Sequence, residues 1–178
     1  MQTKQVTTAQ LTQILLERHT PAKMSVFATI LIDTDARLRK RGNPYPNCRK
    51  QTKMKVMLNT DYKAGVLNQL KREDKPASRY REGENTMPLV FGEHNHIVGF
   101  FEGEPVLVCR PFDKSYPVVT YFTEDGFEVP ESEIRDFIPT RHKAENQGTE
   151  KEILWRKPYL KNVVEMVLDG IKYEVIRK

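Results

Sequence analysis

The sequence predicts an α+β domain: a mainly antiparallel sheet with an N-terminal helix, one packed helix and a C-terminal β-hairpin. Three observations carry this. Apolar residues stand at helical spacing at Leu11, Ile14, Leu15 and again at Val66, Leu67, Leu70. Short apolar or alternating runs fill most of the remainder, separated by Gly, Pro and Asp. Asp169-Gly170 lies between two such runs and is a favoured dipeptide of a two-residue type I′ hairpin. The order α-β-β-α followed by several β runs suits an α+β architecture.

In chain order, Thr7 to Arg18 reads as a helix capped by Thr7 or Thr8. His19-Thr20-Pro21 ends it, because the residue before proline is pushed out of the α region. Residues 1–22 therefore form a helical appendage, docked on the body or serving as a partner-binding arm. Residues 23–178 form a single α+β domain. Met24–Ile32 is apolar in both alternate sets, as in a central strand covered on both faces. The turn-formers Gly42 to Asn47 exclude a helix there. Lys53–Leu58 alternates, with Met54, Val56 and Leu58 on an apolar back and Lys53, Lys55 and Met57 on a cationic front.

Asn59-Thr60-Asp61 supplies cap chemistry for the packed helix through about Arg72. Lys71 and Arg72 in its last turn complement the helix dipole. Short strands are expected at Pro88–Phe91, His96–Phe101, Val106–Arg110 and Val118–Phe122, and a helical turn or two at Pro130–Phe137. In the hairpin of 163–176, Leu168 should face Ile171, Met166 face Tyr173 and Val164 face Val175. Its other face sets Val167 against Lys172 and Glu165 against Glu174.

A chain of 178 residues can bury about 70% of its extended surface and needs no staples. Cys48 and Cys109 form neither a disulfide framework nor a zinc motif, and read as reduced thiols in a cytosolic protein. There is no signal-peptide pattern in Met1 to Gln13 and no apolar run long enough to span a bilayer. The expected location is cytoplasmic.

Charge is the strongest functional signal. Residues 36–81 hold 14 cations against three acids, a net +11. Residues 82–152 hold 15 acids against six cations, a net −9. Many Lys and Arg on one surface are the footprint of phosphate neutralisation. The expected nucleic-acid-binding residues are Arg37, Arg39, Lys40, Arg41, Lys53, Lys55, Arg79 and Arg81, with Tyr45 and Tyr80 as rings for stacking on unpaired bases. Neither a helix-turn-helix nor an RNP signature is present, so base-specific readout is not expected.

The stretch from Thr34 to Tyr45, TDARLRKRGNPY, resembles the opening of a family of uncharacterised tailed-bacteriophage accessory proteins, patterned T-D-x-x-[LM]-[RK]-K-x-G-N-P-[YF]. The family's N-x-x-R-x-R-E-like helix end is similar to Asn68–Glu73, though not identical. Its Q-G-x-E-K-E-[VI] stretch matches Gln147–Ile153, and a hairpin follows. The likeness runs roughly from Phe27 to Ile176. It implies a phage accessory protein in the host cytoplasm and leaves the mechanism open.

The sequence thus points to an accessory protein that binds nucleic acid, DNA ahead of RNA, with little sequence preference. The alternative is a protein–protein module or host-factor inhibitor acting through the acidic half. A metal-dependent nuclease ranks third. Its candidates are the acid pairs Asp33/Asp35, Glu102/Glu104 and Glu124/Asp125, and the His94/His96 pair within Glu93-His94-Asn95-His96. Those residues read more simply as turn chemistry. No catalytic residue, metal or cofactor is therefore expected. Partners are nucleic acid, single- or double-stranded, a host or phage protein, or further copies of the chain.

Overall fold

The computed structural model describes residues 1–20, 25–36, 48–59, 71, 74, 89–112, 118–134 and 156–176. The strands are β1 (Gln2–Val6), β2 (Val26–Ala36), β3 (Cys48–Leu58), β4 (Val90–Phe91), β5 (Val98–Phe101) and β6 (Glu104–Leu107). They continue with β7 (Cys109–Pro111), β8 (Val118–Thr123), β9 (Glu128–Val129), β10 (Val163–Leu168) and β11 (Ile171–Val175). The helices are α1 (Thr8–Glu17) and the single turn α2 (Glu131–Ile134), with a 3₁₀ turn at Leu160–Asn162.

The larger sheet runs β1-β11-β10-β2-β3-β8-β9, with β7 also paired to β3. A second sheet is β4-β5-β6. This overturns the α+β expectation: the described chain is mostly β, and its one helix longer than a turn is α1. The sheet is also mixed, because β1 pairs with β11 in parallel, from Gln2 opposite Ile171 to Val6 opposite Val175. Gln2–Val6 carries no strand pattern of its own. It is a polar segment that the free edge of β11 recruits, which is tertiary context overriding local preference. The expected packed helix at 59–72 lies, Asn59 and Lys71 aside, outside the described residues.

The central pair is β2 and β3, antiparallel from Val26 opposite Leu58 to Ala36 opposite Cys48. Along β2, Val26, Ala28, Ile30 and Ile32 are buried, and along β3, Met54, Val56 and Leu58. These face one core with Leu11 and Leu15 of α1, Val98 and Leu107 of the small sheet, and Leu160, Val163 and Met166. Helix and small sheet thus share the inner side. Two-face burial of β2 does not occur: Phe27, on its outer side, is 40% exposed. Periodicity records which residues are apolar, not whether a neighbouring layer exists to cover them.

The C-terminal hairpin has the expected register for Glu165/Glu174, Met166/Tyr173, Val167/Lys172 and Leu168/Ile171. Asp169 and Gly170 have φ of 53° and 75°, the left-handed pair that a type I′ turn demands. The like-charged Glu165 and Glu174 are relieved by Lys172, whose Nζ lies 3.5 and 3.7 Å from their carboxylates.

Helix α1 begins in a capping box. The Thr7 hydroxyl accepts from the Gln10 N–H, and the Thr7 N–H donates to the Gln10 side chain. Its far end is held twice. Arg18 pairs with Asp169 at 2.9 Å, tying the helix exit to the hairpin turn. Arg18 also lowers the Asp169 carboxyl below its ordinary range, chiefly through this hydrogen bond. The bridge's contribution, under about 1 kcal/mol at this exposure, holds above the ordinary carboxylate pKa and is lost as pH falls through the lowered one.

The second hold is Asn95, which is buried. Its Nδ2 donates to the carbonyls of Leu15 and Arg18, while its Oδ1 accepts from the Ile97 N–H. A single amide therefore ties the last turn of α1 to the approach to β5.

Candidate nucleic-acid interface

The outer face of the large sheet is built around β3. Alternation sends Lys53 and Lys55 outward and exposed, while Thr52, Met54 and Val56 between and beside them are buried. Two residues of extended strand separate the lysines by about 7 Å. That is comparable to the spacing of successive phosphates along an extended nucleic-acid strand. Both side chains thus leave the sheet on the same side, from a central strand anchored from behind.

Aromatic side chains flank them. Phe27 of β2 sits opposite Met57. Phe112, just past β7, donates its N–H to the Lys55 carbonyl at 2.9 Å. The two rings meet edge-on, centroids 5.1 Å apart and planes at 80°. Lys55 Nζ lies 5.3 Å from the Phe112 centroid, a cation–π arrangement. On the other side of Lys53, Val118 pairs with it and is 63% exposed. The Arg110 guanidinium reaches Met57 Sδ at 3.8 Å.

Not all of the positive charge counted in the sequence reaches this face. Arg49 is held by Asp33 at 2.8 Å and Asp35 at 2.7 Å, so it is locally neutralised. Lys50 points to the inner side and is buried. Of the ten expected binding residues, the structure brings Lys53 and Lys55 together. Arg37, Arg39, Lys40, Arg41, Tyr45, Arg79, Tyr80 and Arg81 lie outside the described residues. Arg37 follows Ala36 in the chain, and Ala36 stands five residues along β2 from the Leu31–Lys53 pair, about 17 Å away.

The nuclease candidates disperse. Asp33 and Asp35 bracket Arg49. Glu102 occupies the left-handed position of the β5–β6 turn at φ 50°, and Glu124 and Asp125 stand exposed in the turn between β8 and β9. His94 and His96 lie in bends and diverge: the first ring meets His19 at 5.7 Å, the second meets Phe91 at 4.7 Å. Among the described residues no three His, Cys, Asp or Glu cluster as metal ligands. Burial pushes the Cys109 thiol up to about 12, with Arg156 and Lys157 offsetting it only in part, and it raises the Cys48 thiol too. Both thiols are protonated at neutral pH and neither is poised as a nucleophile.

Sequence reasoning found the two lysines but missed Phe27 and Phe112. These are 85 positions apart, and only the register of β2, β3 and β7 makes them neighbours. The one local signal was a phenylalanine on the outward parity of β2. No protein-family model, curated protein or solved structure matches the chain. No helix among the described residues is long and apolar enough to cross a membrane.

Proposed function

We propose that the protein is a phage-type accessory protein that binds nucleic acid, DNA ahead of RNA, through the outer face of its large sheet, with little sequence preference. The observation that carries this reading is the pair Lys53 and Lys55, both exposed on one side of a strand whose other side is buried. Two lysines whose backbone positions stand at phosphate-like spacing, with apolar rings on the same face, neutralise a backbone and offer no pattern of donors that would read base edges. The net +11 of residues 36–81 adds a long-range field of the same sign. The phage origin, with the host cytoplasm as the place of action, rests on the motif likeness at Thr34–Tyr45 and Gln147–Ile153.

Cross-linking locates the contact. A 12-mer carrying 5-iodouracil, irradiated on the protein and followed by peptide mass spectrometry, is expected to label the peptides holding Phe27, Lys53–Lys55 and Phe112. Labelling confined to peptides of the inner side or of β4–β6 would overturn the assignment to this face.

A further inference from the structure

The exposed Phe27 ring is not explained by folding. The β2 residues on the inner parity fill the core, whereas Phe27 stands on the outer parity at 40% exposure, opposite Met57 and on the face where Lys55 and Lys53 follow two and four residues along β3. Exposed aromatic surface next to positive charge is the combination that single strands use: every base offers a π-face, and the phosphates follow at fixed intervals. A duplex gains less from it, because its bases are already stacked and a ring reaches between them only at an unstacking cost of a few kcal/mol.

We infer that the Phe27–Phe112 corner of the outer face is a stacking site for a base of single-stranded DNA, with Lys55 and Lys53 on the adjoining phosphates. The inference rests on the nucleic-acid reading above and adds strand state, sugar and residue roles. Phe27 is the stacking ring. Phe112 is its support, meeting it edge-on at 5.1 Å and holding the Lys55 ammonium 5.3 Å from its centroid, so that the charge stays beside the ring and not over Phe27. The preference for DNA follows from the surroundings. Met57 lies opposite Phe27 in the ladder, and Phe112 packs against it. An apolar collar of this kind favours a thymine methyl and, at this exposure, gives a ribose 2′-hydroxyl nothing that water does not.

The test is fluorescence anisotropy with labelled dT12, the dT12·dA12 duplex and rU12, on the wild type, Phe27→Leu, Phe27→Trp and the double variant Lys53→Glu/Lys55→Glu, each first checked for an unchanged melting temperature. The expected results are dT12 bound at least about tenfold more tightly than duplex or rU12, and a loss of roughly tenfold to a hundredfold in Phe27→Leu. Phe27→Trp should keep the affinity, with its added fluorescence quenched as a base stacks on it.

Wild-type affinity in Phe27→Leu, with binding lost only in the lysine variant, would discard the stacking site and leave the backbone reading standing. Equal or tighter binding of duplex would discard the strand assignment, and tighter binding of rU12 the sugar assignment. Absence of binding by the wild type would remove both readings. Concentration-dependent dimerisation in sedimentation equilibrium, abolished by Phe27→Leu and indifferent to dT12, would reassign the face to a second copy of the chain.

Discussion

Reversing both outward lysines, Lys53→Glu with Lys55→Glu, is expected to weaken nucleic-acid binding about 100-fold at roughly 0.1 M salt, because two attractions become two repulsions. The loss should be uniform across sequences, since backbone contacts carry no base information. The fold should survive. Both side chains are exposed, and substitutions at such positions usually shift stability by no more than about 0.5 kcal/mol. Loss of the Lys55–Phe112 contact adds at most about 1 kcal/mol. The measurement is titration of the same oligonucleotide against both proteins, with circular dichroism melts alongside. The neutral pair Lys53→Gln/Lys55→Gln should fall between wild type and reversal. If instead the reversed variant unfolds, the lysines are structural. If it binds unchanged, the outer face is not the interface.

Asn95→Ala should be the most damaging single polar substitution described here, at about 3 kcal/mol. It strips one donor from the carbonyls of both Leu15 and Arg18 and the acceptor from the Ile97 N–H, at a buried position. The C-terminal end of α1 then keeps only the Arg18–Asp169 bridge, and the seat of Leu11 and Leu15, both fully buried, is loosened. Asn95→Asp should be nearly as harmful, since it keeps the acceptor for Ile97 but sets a carboxylate against two carbonyl oxygens. Thermal melts give the magnitude. Hydrogen exchange should show the loss first in α1 and in β1, which joins the sheet by the same N-terminal segment. A melting temperature within a degree of wild type would mean that Asn95 merely decorates the turn.

The features legible in the sequence are those whose cause is local. Asp169-Gly170 dictates its own turn and, through it, four cross-strand pairs. The alternation of Lys53–Leu58 is visible because inner and outer residues differ in kind. Thr7 and Gln10 cap the helix three residues apart. What escaped depends on distant partners. Gln2–Val6 is a strand only because β11, about 170 residues onward, offers it an edge. Asn95 looked like part of a His-Asn-His letter pattern, whereas its task is to hold helix carbonyls 77 and 80 positions earlier. β2 is apolar on both parities, which reads as double burial, yet its outer side stays open at Phe27.

The candidate site divides in the same way. Its lysines were visible as a strand face. Its rings were not, because Phe27 and Phe112 acquire a meaning only when β3 stands between β2 and β7. The charge count also misled in one respect. Arg49 is neutralised by Asp33 and Asp35, and Lys50 faces inward, so proximity in sequence overstated what one surface presents.

The most direct measurement is the wild-type affinity for dT12 across a salt series from about 0.05 to 0.3 M. Three to five phosphate contacts predict a log–log slope of roughly −2 to −3.5 on a single strand, reduced by about 1.4 when Lys53 and Lys55 are both replaced. An affinity indifferent to salt, or no binding at the low-salt end, would contradict the account.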